Sequence, residues 1–271
     1  SGKENLMHKN ELEKLDYRKN LIADKNNPIL IQKAWRDFYS GGSSYGNSLV
    51  GKAYLGVEHG EDALTWNVFR SLQLHGPKGL RVIEKTFGLD TIEGLLFWGC
   101  DVESGSNSQQ WLNATIRYID GGIKGPVTEP DMVIITKSQV VFVECKLKRH
   151  DLTSPWKASS DGSKHRYRRY IDTFGYTSLD DLGSWKNVYQ LIRNYVYACE
   201  LAAELDKSPQ VIPLIREEDI PFWEPFYIEL QSREPSIFNQ IYSWQDFMPH
   251  LSNDRFKVTK QKLENTLAAS F

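Results

Sequence analysis

Two short apolar runs, Met132 to Ile135 and Val140 to Val143, stand on either side of the polar stretch Thr136-Lys137-Ser138-Gln139. Both are rich in β-branched residues, so the pattern predicts two adjacent antiparallel strands joined by a tight turn. Period-two alternation places Val133, Ile135, Val140 and Phe142 on one face of this hairpin and Met132, Ile134, Val141 and Val143 on the other. Both faces are apolar. A sheet of that kind must be covered on both sides, and the expected fold is a three-layer α/β sandwich with a mixed central β-sheet flanked by helices.

The covering helices show as 3.6-residue stripes. Glu61 to Leu72 carries apolar residues at 64, 68, 69 and 72 after Gly60, and Trp185 to Ala198 reads as a second amphipathic helix. Gln110 to Ile119 and Ser208 to Ile215 supply further strands. Residues 56–230 form the expected core. Residues 1–55 form an accessory helical segment, with helices over Asn10 to Asp24 and Ile29 to Tyr39 (Ile31, Trp35 and Phe38 on one face), followed by the small-residue stretch Ser40 to Ser48. Residues 231–271 form a helical extension anchored by Phe238, Tyr242, Trp244 and Phe247.

The hairpin also carries chemistry. A turn centred between Lys137 and Ser138 puts Asp131 opposite Glu144, with Cβ atoms about 5 Å apart, where two like charges repel. Something positive should sit between them. Alternation puts Lys146 on the face of Glu144 and turns Cys145 to the opposite one. Two hard carboxylates suit Mg²⁺, for which Mn²⁺ can substitute, and an ammonium beside the ion's waters can position or deprotonate one of them. This chemistry serves phosphodiester hydrolysis.

Pro130-Asp131, twelve intervening residues, then Glu144-Cys145-Lys146 resembles the signature of the PD-(D/E)XK nuclease superfamily, the restriction-endonuclease-like fold. The resemblance implies a Mg²⁺-dependent nuclease in which Asp131, Glu144 and the Cys145 carbonyl hold the ion while Lys146 orients or activates the attacking water. It also implies a third carboxylate from a helix before the sheet. Glu61 is the choice for it, with Glu58 and Asp62 as rivals; acids in a first helical turn equally serve the helix dipole. Gln190 fits the polar residue that the following helix turns toward the site or the nucleic acid, against the plain reading of a surface glutamine. DNA is favoured over RNA by analogy with the superfamily. A homodimer or a partner protein is compatible with it.

Composition narrows the picture. The net charge of −2 at pH 7 gives no general nucleic-acid coat, so cations must be concentrated locally. From Glu144 to Tyr170 eight cationic side chains face three acids, with Trp156, Tyr167 and Tyr170 interleaved. Lys148, Arg149, Trp156, Lys164, Arg166, Arg168 and Arg169 are the expected contacts to phosphates and unpaired bases. The plain reading is a solvated basic loop. Three cysteines without paired or metal-like spacing point to reduced structural thiols, and no apolar run or signal-peptide pattern suggests a membrane or export, so the expected location is cytoplasmic. No P-loop or Gly-x-Ser-x-Gly elbow supports a motor or a serine hydrolase. The competing class is a binding or assembly module that keeps the fold, its acids and lysine forming only a buried ionic cluster; a subunit that depends on a partner for targeting is a third.

Overall fold

The computed structural model describes residues 17–30, 33, 60–102, 129–147 and 189–269. The expected strand over Gln110 to Ile119, the helical positions Ile31, Trp35 and Phe38, and the Ser40 to Ser48 stretch lie outside the described residues. The chain divides into two compact units, residues 84–247 and residues 1–83 with 248–271.

The first of these holds a six-stranded mixed sheet in the order β2-β1-β3-β4-β5-β6. Its strands are β1 (Ile92–Phe97), β2 (Cys100–Asp101), β3 (Met132–Thr136), β4 (Gln139–Cys145), β5 (Ser208–Ile215) and β6 (Tyr242–Ser243). β3 and β4 pair antiparallel with Met132 opposite Val143 and Ile135 opposite Val140, the register that the turn at Lys137 and Ser138 predicts. Thr136 closes that turn by accepting from the amides of Ser138 and Gln139. β4 then pairs parallel with β5 over its whole length, from Gln139 opposite Ser208 to Cys145 opposite Leu214. The fold is the expected α/β class.

β1 was not anticipated from sequence. Glu93 and Gly94 interrupt its apolar pattern, and the ladder to β3 shifts register between Ile92 and Gly94. Pairing with β3, rather than local propensity, makes it a strand.

Both faces of the hairpin are buried as expected. The face bearing Val133, Val140 and Phe142 packs with Val211 and Ile215 of β5 against Leu191, Ile192, Tyr195 and Leu201 of the helix Tyr189–Leu205. Phe238 joins this core, its ring stacked on Tyr195 and edge-on to Tyr227. Tyr242 hydroxyl donates to the Phe87 carbonyl at 2.9 Å, and Phe87 meets Tyr242 and Phe247 edge-on. All four aromatic anchors expected of the C-terminal part are therefore buried, although Tyr242 lies in a strand and Phe238 in irregular chain.

In the other unit the chain runs through α1 (Glu61–Thr65), a π-helical turn (Trp66–Arg70), α2 (Ser71–Leu74) and the start of α3 (Pro77–Phe87). The predicted stripe Leu64, Val68, Phe69 and Leu72 is buried. The described end of the Asn10 to Asp24 segment is not a continuous helix: one 3₁₀ turn, Tyr17–Asn20, gives way to irregular chain. The cause is competition for its backbone groups. Asn67 accepts from the Ile22 amide and donates to the Asn20 carbonyl, each at 2.8 Å, and the Trp66 indole donates to the Ala23 carbonyl. Arg70 completes the attachment with an ion pair to Asp24 at 2.7 Å. We label the remaining helices α4 (Tyr189–Leu205), α5 (Ile220–Arg233) and α6 (Lys257–Ala269). Among the described residues no helix is long and apolar enough to cross a membrane.

Candidate active site

The C-terminal end of β4 gathers the predicted residues. Asp131 immediately precedes β3 and Glu144 is the penultimate residue of β4, so the observed register brings them side by side. The Cys145 amide donates to Asp131 Oδ2 at 2.8 Å, which orients that carboxylate toward the strand end. Lys146 follows, its Nζ 2.7 Å from Glu144 Oε1, 3.6 Å from Asp131 Oδ2 and donating to the Cys145 carbonyl at 2.9 Å. The positive group expected between two opposed acids is the lysine itself. The Cys145 side chain is buried on the opposite face, as alternation requires.

The second oxygen of Glu144 is held from α4. Asn194 Nδ2 donates to Oε2 at 2.7 Å and Arg193 Nη2 to the same atom at 3.3 Å. Arg193 also reaches the Asn194 side-chain oxygen at 3.1 Å, which fixes the amide's orientation. Glu144 is 1% exposed and Asn194 fully buried, so these contacts operate away from solvent. Burial alone would push the Glu144 carboxyl up; the charges of Lys146 and Arg193 and the hydrogen bonds from Lys146 and Asn194 outweigh it and leave the group below its ordinary value.

Two further contacts hold the backbone here. The Trp98 amide donates to the Asp131 carbonyl at 3.2 Å from the tight turn between β1 and β2. Trp98 takes a left-handed φ of 50° beside Gly99 at 78°, a conformation that costs a side-chain-bearing residue about 1–2 kcal/mol. Burial of its ring, 2% exposed, offsets that cost. On the other side the Trp244 indole donates to the Lys146 carbonyl at 3.2 Å, while the Lys146 amide bonds the Leu214 carbonyl.

Arg193, Asn194, Trp98 and Trp244 were not singled out from sequence. Gln190, which was, lies half-buried one turn before Asn194 on α4. The available signal was that Arg193 and Asn194 follow Gln190 at helical spacings of three and four, so that the three polar residues share one side of the helix. Glu61 opens α1 in the other unit, and its rival Asp62 is paired with Lys33 at 3.4 Å. Glu58, Lys148, Arg149, Trp156, Lys164, Arg166, Arg168 and Arg169 lie outside the described residues.

Among the described residues no group of three His, Cys, Asp or Glu side chains gathers as a metal cage. The donors at the end of β4 are two carboxylates and a main-chain carbonyl, all hard oxygen atoms. That set fits Mg²⁺, which is commonly held by one or two carboxylates with the rest of its shell left to water and substrate. Burial, with Glu234 and Glu200, pushes the Cys199 thiol up to about 11 despite its hydrogen bond with Tyr195, which leaves that group a protonated thiol at neutral pH.

Residues 123–269 match the family model described as Restriction Endonuclease associating with ARP, a span of more than half the chain. The chain belongs to this family. The matched span of this restriction-endonuclease family contains Asp131, Glu144, Lys146, Arg193 and Asn194, together with the mixed sheet from β3 onward. Family membership makes the protein nuclease-related. No curated protein and no solved structure matches the chain.

Proposed function

We propose that this protein is a metal-dependent nuclease of PD-(D/E)XK type that hydrolyses phosphodiester bonds, acting on DNA. The observation that carries the reading is the convergence of Asp131 and Glu144 within 3.6 Å of the Lys146 Nζ at one strand end. Asp131, Glu144 and the Cys145 carbonyl would hold Mg²⁺ or Mn²⁺. Such an ion, when bound, supplies Lewis acidity at the phosphoryl oxygens and lowers the pKa of a water. Lys146 orients the attacking water and, as an ammonium, stabilises charge on the phosphoryl group. Asn194 and Arg193 keep Glu144 in place, and Gln190 extends the same helix face toward the nucleic acid.

Lys148, Arg149, Lys164, Arg166, Arg168 and Arg169 grip phosphates in this reading, with Trp156 stacking on a base. The family's description speaks of association with ARP, which supports a protein partner for the chain. The direct test is incubation with Mg²⁺ and labelled linear, circular, branched and single-stranded nucleic acids. Cleavage by the wild type that is lost in Asp131→Asn and Lys146→Ala supports the reading. Full activity in either variant, or no cleavage of any substrate with Mg²⁺ or Mn²⁺, overturns it.

One observation favours a second reading, a module that binds or assembles without cutting. Both Glu144 oxygens are engaged by cationic or amide donors, so the cluster is electrostatically complete on its own. Calorimetric titration separates the two, because the module would take up no Mn²⁺.

A further inference from the structure

Lys146 Nζ meets the same three oxygen atoms that the proposed ion would use: Glu144 Oε1 at 2.7 Å, the Cys145 carbonyl at 2.9 Å and Asp131 Oδ2 at 3.6 Å. We infer that the Lys146 ammonium is the resident cation of this site, so that a divalent ion enters only as the amine leaves. The inference rests on the donor set of the nuclease reading, but it concerns occupancy rather than cleavage.

Charge supports mutual exclusion. Asp131 and Glu144 are matched by Lys146 and Arg193, so these four groups together carry no net charge. Adding a doubly charged ion with the amine still in place would leave two uncompensated positive charges among groups almost wholly removed from water. Such an excess is expensive in that environment. Lysine is suited to leave, because its charge sits at the tip of a flexible four-carbon stem.

The two oxygens of Glu144 divide the work. Oε1 takes the ammonium, while Oε2 is held by Asn194 and Arg193. The carboxylate therefore keeps its position when Oε1 is vacated. Apparent metal affinity is then lowered by the fraction of molecules whose lysine still occupies the site.

The test is isothermal titration of Mn²⁺ into the wild-type chain and into Lys146→Met, which keeps the stem and removes the charge. The variant should bind Mn²⁺ at least about tenfold more tightly; equal or weaker binding overturns the inference. Because the substitution also removes a buried cation on which folding can depend, amine acylation of the wild type gives a second readout. Lys146 is 4% exposed, so its labelling should be low without Mn²⁺ and rise severalfold with it. Ion uptake with unchanged labelling overturns the inference and leaves the nuclease reading intact. Binding by the variant alone, with no cleavage by the wild type, supports the inference and ends the nuclease reading. Uptake by neither protein ends both.

Discussion

Asn194 donates to Glu144 across fifty positions of sequence, at 2.7 Å, with both residues buried. The acid at the end of β4 is thus oriented by a helix that the chain reaches only after the whole basic segment. Removing that donor leaves a buried carboxylate oxygen short of a hydrogen bond, a loss of about 1.5–3 kcal/mol. Asn194→Ala should therefore lower stability by that amount and, on the proposed nuclease reading, reduce cleavage roughly 10- to 100-fold, the range for residues that orient metal-ligating groups. Urea unfolding and steady-state kinetics check the two effects separately.

Acid should weaken the folded protein through Glu144. In the unfolded chain this carboxyl titrates near its ordinary value of 4.5, and in the fold it titrates lower. Its contribution is complete above that value and drains away as pH falls through the folded-state pKa beneath it. Urea titrations between about pH 3 and pH 6 should show a steeper acid limb for wild type than for Glu144→Gln. Equal slopes would remove Glu144 from the account of acid stability.

Trp244→Phe keeps most of the ring but loses the donor to the Lys146 carbonyl. The expected cost is about 0.5–1.5 kcal/mol. Phe142→Ala, in the core beneath the site, should cost about 3–5 kcal/mol. Thermal melts of the two variants should rank them in that order.

The basic segment predicts a salt effect. If Arg166, Arg168 and Arg169 meet phosphates, neutralising each one should flatten the plot of log affinity against log salt by about one unit for every phosphate left without its cation. Catalytic turnover at saturating substrate should change little. An unaltered salt slope in the triple variant would assign these cations to bulk solvent.

The hairpin was legible because everything that defines it is local: β-branched runs, a four-residue polar turn, and alternation that fixes which side chains share a face. The bounds Ser208 to Ile215 were equally readable, since an apolar run there follows the Asp206-Lys207 break. What escaped depends on distant partners. β1 contains a glycine and a register shift and exists through its pairing with β3. β2 and β6 are two residues each, too short to carry a period. Residues 191–198 of α4 are buried on every side, whereas the sequence suggested one wet face. Arg193 and Asn194 would be assigned to that face by charge and polarity, and only Glu144 across the interior explains their burial.

The order in which the chain is made now acquires a meaning. A ribosome releases the β3–β4 hairpin well before it releases Arg193 and Asn194. Until those residues emerge, nothing from α4 can grip Glu144, and the cluster stays incomplete on a half-made chain. The full arrangement around Glu144 thus arrives late in synthesis, when the sheet's second half is ready to close around it.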